Sequence, residues 1–425
     1  MINHLHLKNV GLFADEELHF APRLNLITGG NGLGKSFLLN LTWFALTGVW
    51  PKKVQPSLPG GLMALPTGLN AEASQEASFD GADGETALRS RFERGDWRWS
   101  RRDTSVHSSD VLIWATADGG FALWDPSRNG PKAQAQGLPP AHILTDDQVM
   151  NGLPDTDLKW LCMGFVRDGL LWWGDRYFEE ELNLFTKVLA ALSDADGPMT
   201  LERARLVDPL DIRRIPVIGM PDGVRVPVTH ASTGVRKVVK LAYMLVWQWT
   251  EHVRTRDALV LPPARRIVLL WDDADAGLSP RRQREVLPGL MRAMKHLPGE
   301  PDVQFVVTTR SPLVMSSVEV DFRSDEDRWF DLDGEEGRAK VRAREYLPMG
   351  GVGNWLPSEA FDLPTEYSVG TERVLEEAKA VMRRRRDVPA EELLEMTKKL
   401  GKVLPDADPY WINWNRMLFR RGIEP

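Results

Sequence analysis

The start of the chain shows two kinds of hydrophobic pattern. Apolar and polar residues alternate at 4–7 and again at 17–20, which is typical of half-buried strands. A continuous apolar run at 24–28 predicts a buried strand, and a longer run at 37–46 predicts a buried helix. The eight residues between those runs, G-G-N-G-L-G-K-S, therefore connect the end of a strand to the beginning of a helix.

The next part of the chain is less regular. Residues 50–85 are rich in Gly, Pro, Ala and Ser with little periodicity, which predicts a long surface segment. Turn residues at 95–96 and 118–120, each between aromatic and β-branched runs, predict two β-hairpins. Residues 155–205 space their apolar side chains near three and four apart, which predicts two or more amphipathic helices.

The pattern becomes regular again after residue 230. An apolar helix is predicted at 238–249, and an apolar strand at 266–271 is followed directly by two aspartates. Residues 321–347 alternate like strands around a predicted turn at Asp333 and Gly334.

The end of the chain is predicted to be helical, with two charged amphipathic helices over 371–404 and an aromatic, basic tail at 409–421. The four arginines at 383–386 are predicted to complement a helix dipole, and contact with DNA or RNA phosphates is the alternative. The tryptophans of the chain are predicted to pack in cores and interfaces, with base stacking as their alternative.

The segment at 29–36 carries the clearest chemistry. Gly29, Gly34, Lys35 and Ser36 fit the Walker A pattern G-x-x-x-x-G-K-[ST] in register. Glycines let backbone N–H groups turn toward phosphate oxygens, and the helix N-terminus favours negative charge. Lys35 is predicted to reach the β and γ phosphates and Ser36 to bind Mg2+. The sequence therefore predicts an ATP site.

The aspartate pair after the strand at 266–271 supplies a second part of such a site. A buried strand that presents an acid at its carboxyl end is what a Walker B element provides, because that acid holds Mg2+. Asp272 is predicted to take this role, and Asp273 is predicted to polarise the attacking water.

Composition and charge limit the class of protein. The chain has 425 residues, is 43% hydrophobic and contains one cysteine, which excludes an intrachain disulfide framework and indicates a reducing cytoplasm. No apolar run approaches the ~18 residues of a membrane span, and the alternating start is unlike a signal peptide. The formal net charge of -7 argues against a chain that binds nucleic acid through bulk charge.

The order of these motifs resembles the ABC-type ATPase heads of the RecF, SMC and OLD class. Besides the segment at 29–36, residues 232–236 are similar to the signature motif of that class. Residues 272–280 resemble its Walker B element and D-loop, and residues 306–313 resemble its switch strand. The resemblance implies an α/β, ABC-type P-loop NTPase head with an inserted β-hairpin and helical region and a C-terminal helical tail.

The resemblance also implies a set of site residues. Asp273, Lys35 and Arg310 are the predicted catalytic residues, and Ser36 and Asp272 are the predicted Mg2+ ligands. The predicted nucleotide-binding residues are Gly29, Gly30, Asn31, Gly32, Leu33, Gly34, Lys35, Ser36, Phe37, Ser232 and Gly234. In the class, the signature of one subunit faces the phosphate loop of another, which implies a homodimer, or a higher even assembly, around ATP.

Two residues depart from the pattern of the class, which usually has Glu at 273 and His at 310. Asp273 is one methylene shorter, so a water held by it would lie farther from the γ-phosphate, and errors near 1 Å can cost ~100-fold in rate. Arg310 is always protonated, and its planar fork can bind the γ-phosphate. We therefore expect slow hydrolysis, with compensation of Asp273 by Arg310 as the alternative.

The predicted domains are an ATPase head at 1–49 and 229–347, an insertion at 50–228 and a partner-binding region at 348–425. We expect an ATP-sensing regulator of a separately encoded effector such as a nuclease, in prokaryotic genome or anti-phage defence. This follows from the resemblance and from the absence of a Toprim nuclease domain like that of some relatives. A RecF-like DNA-binding ATPase in repair is the alternative, and a transporter ATPase subunit is less favoured because it leaves the insertion unexplained.

Overall fold

A computed structural model describes residues 1–81, 84–101, 108–156, 159–193, 196–361, 363, 365–384 and 388–423. The chain divides into two compact units. The first contains residues 1–355 with 359–361, and the second contains 356–358 with 362–425. The domain boundaries predicted from sequence remain predictions.

Eighteen strands occur within the described residues. In chain order they are β1 (Ile2–Val10), β2 (Phe13–His19), β3 (Leu24–Gly29), β4 (Ser74–Gly81), β5 (Gly84–Glu93), β6 (Arg98–Arg101), β7 (Val111–Ala115), β8 (Phe121–Trp124), β9 (His142–Leu144), β10 (Leu153–Thr156), β11 (Lys159–Cys162), β12 (Thr200–Leu206), β13 (Arg214–Gly219), β14 (Arg225–Pro227), β15 (Arg266–Trp271), β16 (Asp302–Thr308), β17 (Asp327–Glu335) and β18 (Arg338–Arg344).

Thirteen of these strands form one sheet, in the order β6-β5-β4-β1-β2-β18-β17-β3-β16-β15-β7-β8-β9. Its middle, from β17 to β7, is parallel. Leu24 of β3 lies opposite Phe305 of β16, and Leu269 of β15 lies between Phe305 and Ile113 of β7. Parallel strands need cover on both faces, which explains their continuous apolar sequences. Because the strands run in one direction, their carboxyl ends lie at the same edge of the sheet.

The sheet has one apolar core on each face. Leu26, Leu269 and Val307 belong to the cluster that contains helix residues 235–249. Ile27 belongs to the other cluster, which contains the apolar side chains of residues 38–46. Successive residues of β3 thus face opposite helices, as the two-residue period of a strand requires.

Fifteen α-helices occur within the described residues. In chain order they are α1 (Lys35–Thr47), α2 (Pro51–Val54), α3 (Pro126–Asn129), α4 (Pro131–Gln134), α5 (Asp146–Asn151), α6 (Phe165–Gly174), α7 (Glu179–Ala191), α8 (Thr233–Ala258), α9 (Pro280–Gln283), α10 (Val286–Met294), α11 (Pro312–Ser316), α12 (Val352–Trp355), α13 (Val369–Arg383), α14 (Ala390–Leu400) and α15 (Tyr410–Phe419). None of them is both long and apolar enough to cross a membrane.

Several sequence predictions are confirmed. The predicted strands, the strand–loop–helix order around 29–36 and both hairpins, β5–β6 and β7–β8, are present. The predicted helices at 155–205 are α6 and α7. The α/β class is therefore correct.

Other predictions need correction. Residues 50–85 are not wholly a surface segment, because β4 forms in the large sheet beside β1 and buries Phe79. Three strands, β10 to β12, overlap the region predicted as helical. The turn predicted at Asp333 and Gly334 lies instead at Glu336 and Gly337, both with positive φ, since β17 and β18 pair through Glu335 and Arg338.

The second unit is helical, as predicted for the end of the chain. Helices α13, α14 and α15 enclose a small apolar core that includes Leu375, Leu393 and Trp414. Arg383 is the last residue of α13, and Arg384 forms an ion pair with Glu392. Residues 385 and 386 of the predicted arginine run lie outside the described residues.

Candidate nucleotide-binding site

The phosphate loop connects β3 to α1 at the carboxyl edge of the sheet. Gly29, Gly32 and Gly34 all have positive φ, a conformation that residues with a Cβ rarely adopt. At Gly29 a Cβ would also lie 2.5 Å from the carbonyl oxygen of Leu332 on the neighbouring strand. These three glycines are therefore required by the path of the backbone.

Lys35 begins α1 and its side chain turns back over the loop. Its Nζ donates to the carbonyl oxygens of Gly29 at 2.7 Å and Gly30 at 3.0 Å. Burial lowers the pKa of Lys35, and the negative charge of Asp273 opposes this shift. The ammonium group thus lies at the loop opening, on the side of the Walker B acids.

Ser36 and Asp272 lie together, although 236 positions separate them in the sequence. Ser36 and Asp272 line the same cavity, and the Asp272 carboxylate accepts a 2.7 Å hydrogen bond from Thr308 Oγ1. Burial raises the pKa of Asp272, and the neighbouring hydroxyls of Ser36 and Thr308 oppose the shift. A hydroxyl beside a carboxylate is a set of hard oxygen donors that suits Mg2+.

Asp273 has an unusual backbone. Its φ is 46°, in the left-handed region, where aspartate is more common than most residues with a Cβ. Its N–H donates to Thr308 Oγ1 at 2.8 Å, which fixes it to the end of the next strand. Asp273 is therefore held in a defined position beside Asp272.

The two residues that depart from the class pattern contact each other. Arg310 Nη2 donates to Asp273 Oδ2 at 2.7 Å, and Arg310 Nη1 donates to Asn31 Oδ1 at 3.0 Å. The arginine therefore joins the acid to the phosphate loop. About two fifths of the Arg310 side chain is exposed, so solvent screens this ion pair.

Sequence reasoning missed Lys237, which lies on α8. Its Nζ donates to the carbonyl oxygens of Asp273 at 2.7 Å and Ala276 at 3.0 Å. Burial lowers the pKa of Lys237 to about 8, and nearby aspartates oppose the shift. A lysine inside an apolar helix was the available signal, but its partners lie 36 to 39 positions away.

Asp275 was also missed. Its Oδ1 accepts hydrogen bonds from Thr309 Oγ1 at 2.7 Å and from the backbone N–H of Arg310 at 2.9 Å. The D-loop and the switch segment are thus joined through one carboxylate, which orients the backbone of Arg310.

The predicted signature residues lie at the N-terminus of α8. Ser232 is the N-cap and accepts a hydrogen bond from the Val235 N–H at 3.4 Å. A Cβ at Gly234 would lie 2.9 Å from the carbonyl oxygen of Gly277 in the D-loop. The hydrogen bonds found among the described residues do not join Ser232 or Gly234 to the phosphate loop of the same chain. Their assignment to a nucleotide remains a prediction.

A cavity of about 300 Å³ opens beside the predicted Mg2+ ligands. Ser36 and Asp272 line one side, and residues 58–61 line another. Asp118, at the tip of the β7–β8 hairpin, also lines it. Part of the predicted surface segment therefore borders the candidate site.

Residues 4–118 match the AAA domain family model. The match includes the whole phosphate loop and ends at the tip of the β7–β8 hairpin. It agrees with the predicted resemblance to ABC-type ATPase heads, which is confirmed. A comparison with curated protein sequences gave no match.

Solved structures similar to this chain include an SMC head domain from Thermotoga maritima, at 15% identity and a TM-score of 0.39, covering 81% of this chain and 99% of that one. An Smc head domain bound to the C-terminal domain of ScpA, derived from Pyrococcus furiosus, has 14% identity and a TM-score of 0.46, covering 81% and 96%. The recombination mediator protein RecF has 13% identity and a TM-score of 0.40, covering 80% and 98%. At such values these comparisons concern the fold alone.

Proposed function

We propose that the chain is an ATP-dependent dimerising ATPase that hydrolyses ATP slowly and controls a separately encoded effector, such as a nuclease, in the prokaryotic cytoplasm. The proposed ATP binding is supported mainly by one observation, which is that Ser36 and Asp272 lie together beside Lys35. These three groups come from two distant motifs, and they supply the cation and the oxygen donors that a Mg-ATP site needs.

Mg2+ would be held by Ser36 and Asp272, and it would neutralise charge on the β and γ phosphates. Lys35 would meet the same phosphates as a point charge. The loop glycines would allow close approach of backbone N–H groups, and the N-terminus of α1 would favour the negative charge. These contacts together give binding without any group from a second chain.

Slow hydrolysis is supported by the position of Asp273. An acid that polarises water must present a free carboxylate oxygen toward the γ-phosphate. Here Oδ2 of Asp273 accepts a hydrogen bond from Arg310, so this oxygen is already occupied and is not free to hold a water. The short side chain and this ion pair act in the same direction, so ATP should persist in the site.

Dimerisation is supported by the exposed signature end of α8. The helix N-terminus presents unsatisfied N–H groups and a partial positive charge, which suits the γ-phosphate of an ATP held by a second copy. The assembly would then be a homodimer, or a higher even assembly, with two ATP molecules between its subunits.

Effector binding is assigned to the 348–425 region, as expected from its aromatic and basic residues. Ile412 and Phe419 on α15 are 63% and 84% exposed. They are seven positions apart and so lie on the same face of the helix, where an exposed apolar patch can receive a protein partner.

One experiment separates this proposal from the RecF-like alternative. The full chain with Mg-ATP is mixed with the protein encoded by the adjacent gene and, separately, with duplex and gapped DNA at physiological salt. Effector binding that requires ATP and leaves DNA unbound supports the proposal. Tight DNA binding without an effector supports the alternative. Physiological salt is used because affinities that come from phosphate contacts fall steeply as the salt concentration rises.

A further inference from the structure

The solvent face of the β1–β2 pair carries an unusual concentration of histidines. In the antiparallel register His4 is opposite His19, and His6 is opposite Glu17. The alternate residues Leu5 and Leu18 are fully buried on the other face. The period of a strand therefore places these imidazoles and carboxylates side by side on the exposed surface.

Three of these groups converge. His4 Nε2 lies 2.8 Å from Glu17 Oε1, and His19 Nε2 lies 3.4 Å from the same oxygen. One ligand atom from each residue lies within 4.8 Å of the other two. Ligands at 2.0–2.2 Å from a tetrahedral Zn2+ are about 3.3 Å apart, so two of the three separations are already close to those of a metal site.

The backbone beneath the group is fixed, while the side chains can adjust. β1 is paired on both edges, with β2 and with β4, so its register cannot slip without exposing Leu5. The side chains of His4, Glu17 and His19 are 25%, 59% and 67% exposed. The rings of the two histidines have centroids 4.8 Å apart. His19 is the most exposed of the three, so its ring has room to rotate toward the other two ligand atoms.

We propose that His4, Glu17 and His19 form a site for a divalent transition metal, with Zn2+ as the ion it fits best. Two imidazoles with one carboxylate are ligands that select Zn2+ over Mg2+, which prefers oxygen atoms and retains its water. Solvent occupies the fourth position, because the site faces outward. The site is separate from the Ser36 and Asp272 pair and does not depend on the proposed function.

The neighbouring pair provides a matched control. His6 Nε2 lies 2.6 Å from Asp15 Oδ1 on the same two strands and the same face. The His6 side chain is 32% exposed, close to the 25% of His4. It belongs to no group of three metal-ligating residues among those that the structure describes. Removal of His6 changes the surface similarly but leaves the three proposed ligands in place.

The test uses the full chain without an affinity tag, freed of metal with a chelator and without nucleotide. Titration with ZnCl2 should show one ion per chain. His4→Ala and His19→Ala should each weaken this binding by at least about tenfold, because two ligands hold Zn2+ poorly. His6→Ala should change it less than about twofold. Zn2+ should raise the unfolding midpoint of the wild type and of His6→Ala only.

Two results would overturn the inference. One is a wild type that binds Zn2+ no more tightly than the His4→Ala/His19→Ala double variant. The other is equal loss of binding in His6→Ala and His19→Ala, which would mean diffuse surface binding rather than a site. The unfolding midpoints of the metal-free variants check their folding, and anomalous X-ray scattering from Zn2+-soaked crystals checks the three ligands directly.

Discussion

The phosphate-loop end and the signature end of this chain differ in how complete they are. At the phosphate loop, Lys35, Ser36 and Asp272 come from separate motifs and already lie together. At the signature end, Ser232 caps its own helix and Gly234 contacts the D-loop. One end is proposed to hold a nucleotide through a single chain, whereas the other presents helix N–H groups outward.

This difference separates binding from assembly. A chain that binds ATP alone but needs a second copy to cover the γ-phosphate should bind and dimerise as two distinguishable steps. Lys237 physically joins the two ends, because it lies on the signature helix and binds the backbone of Asp273. Substitutions at each end, and at this lysine, should therefore produce different defects.

The largest effect is expected at the phosphate loop. Lys35→Ala should weaken Mg-ATP binding by at least about 100-fold, because charge-assisted hydrogen bonds of roughly 1.5–3 kcal/mol each are lost. Isothermal titration measures the affinity. Lys53→Ala, at an exposed lysine of α2, is the control and should bind like the wild type. Unchanged affinity in Lys35→Ala would remove the assignment of the loop.

The next effect concerns the signature end. Ser232→Arg should prevent ATP-driven association while leaving ATP binding intact, since a large side chain enters the space proposed for the γ-phosphate. Sedimentation with a non-hydrolysable ATP analogue measures the association. Ser232→Asn retains a capping side chain, worth about 1 kcal/mol to the helix, and should still dimerise. Equal association of the wild type and Ser232→Arg would contradict the signature assignment.

The link between the two ends should affect rate without affecting binding. Lys237→Met should lower kcat by up to ~100-fold with little change in the KM for ATP, because Asp273 loses the group that holds its carbonyl. Steady-state phosphate release measures both constants. Lys240→Met is the matched control, since Lys240 is also buried on α8 but pairs with Asp146. A rise in KM alone would show that Lys237 does not position Asp273.

A smaller change, in the opposite direction, is expected at the acid itself. Asp273→Glu should raise phosphate release about tenfold, because the longer side chain restores the usual distance to water. Arg310→His alone should have little effect, and the double variant should exceed the product of the single effects, as expected for residues in contact. The unfolding midpoint checks that glutamate tolerates the positive φ. A wild-type rate of about 1–100 per second that falls in Asp273→Glu would identify a working motor instead.

The smallest effect tests the packing beneath the signature helix. Asp168 accepts a 2.7 Å hydrogen bond from Tyr243 of α8, and burial raises its pKa from 3.8 to about 6. The folded chain thus binds this proton more tightly than the unfolded chain. The resulting stabilisation is complete below pH 3.8 and is lost as the pH rises through about 6.

Asp168→Asn keeps an acceptor for Tyr243 but carries no charge. We compare the unfolding midpoint of this variant with that of the wild type at each pH. The difference, variant minus wild type, should be about 2 °C larger at pH 7.5 than at pH 4. Differential scanning calorimetry at the two pH values measures it. Asp257→Asn, at an exposed aspartate of α8, should show no such difference.

The elements with strong local signals could be predicted from the sequence. The phosphate loop, the Walker B strand and α8 each carry a continuous pattern or a fixed motif. β4 could not be predicted, because its sequence S-Q-E-A-S-F-D-G has few strand-forming residues and becomes a strand by pairing with β1. The predicted position of the β17–β18 turn is wrong because two acid–glycine pairs occur there, Asp333-Gly334 and Glu336-Gly337. Only the cross-strand register shows that the second pair forms the turn.

The same distinction holds within the site. Ser36, Asp272 and Asp273 belong to short motifs whose spacing reveals their chemistry. Lys237 and Asp275 act through contacts with residues that the fold alone brings near, so local sequence gave no sign of their role. The contact between Asp273 and Arg310 lies between these cases, since both residues were identified but their pairing was not.

The strand order of the large sheet has a consequence for synthesis of the chain on the ribosome. β3 carries the phosphate loop, but its two neighbours are β16 and β17, whose residues follow about 280 and 300 positions later. β3 therefore cannot acquire its neighbours until most of the chain has been made. Contacts of such long sequence separation form slowly, and they leave apolar strand edges exposed in the meantime. The N-terminal third is thus the part of the nascent chain that most needs protection from aggregation.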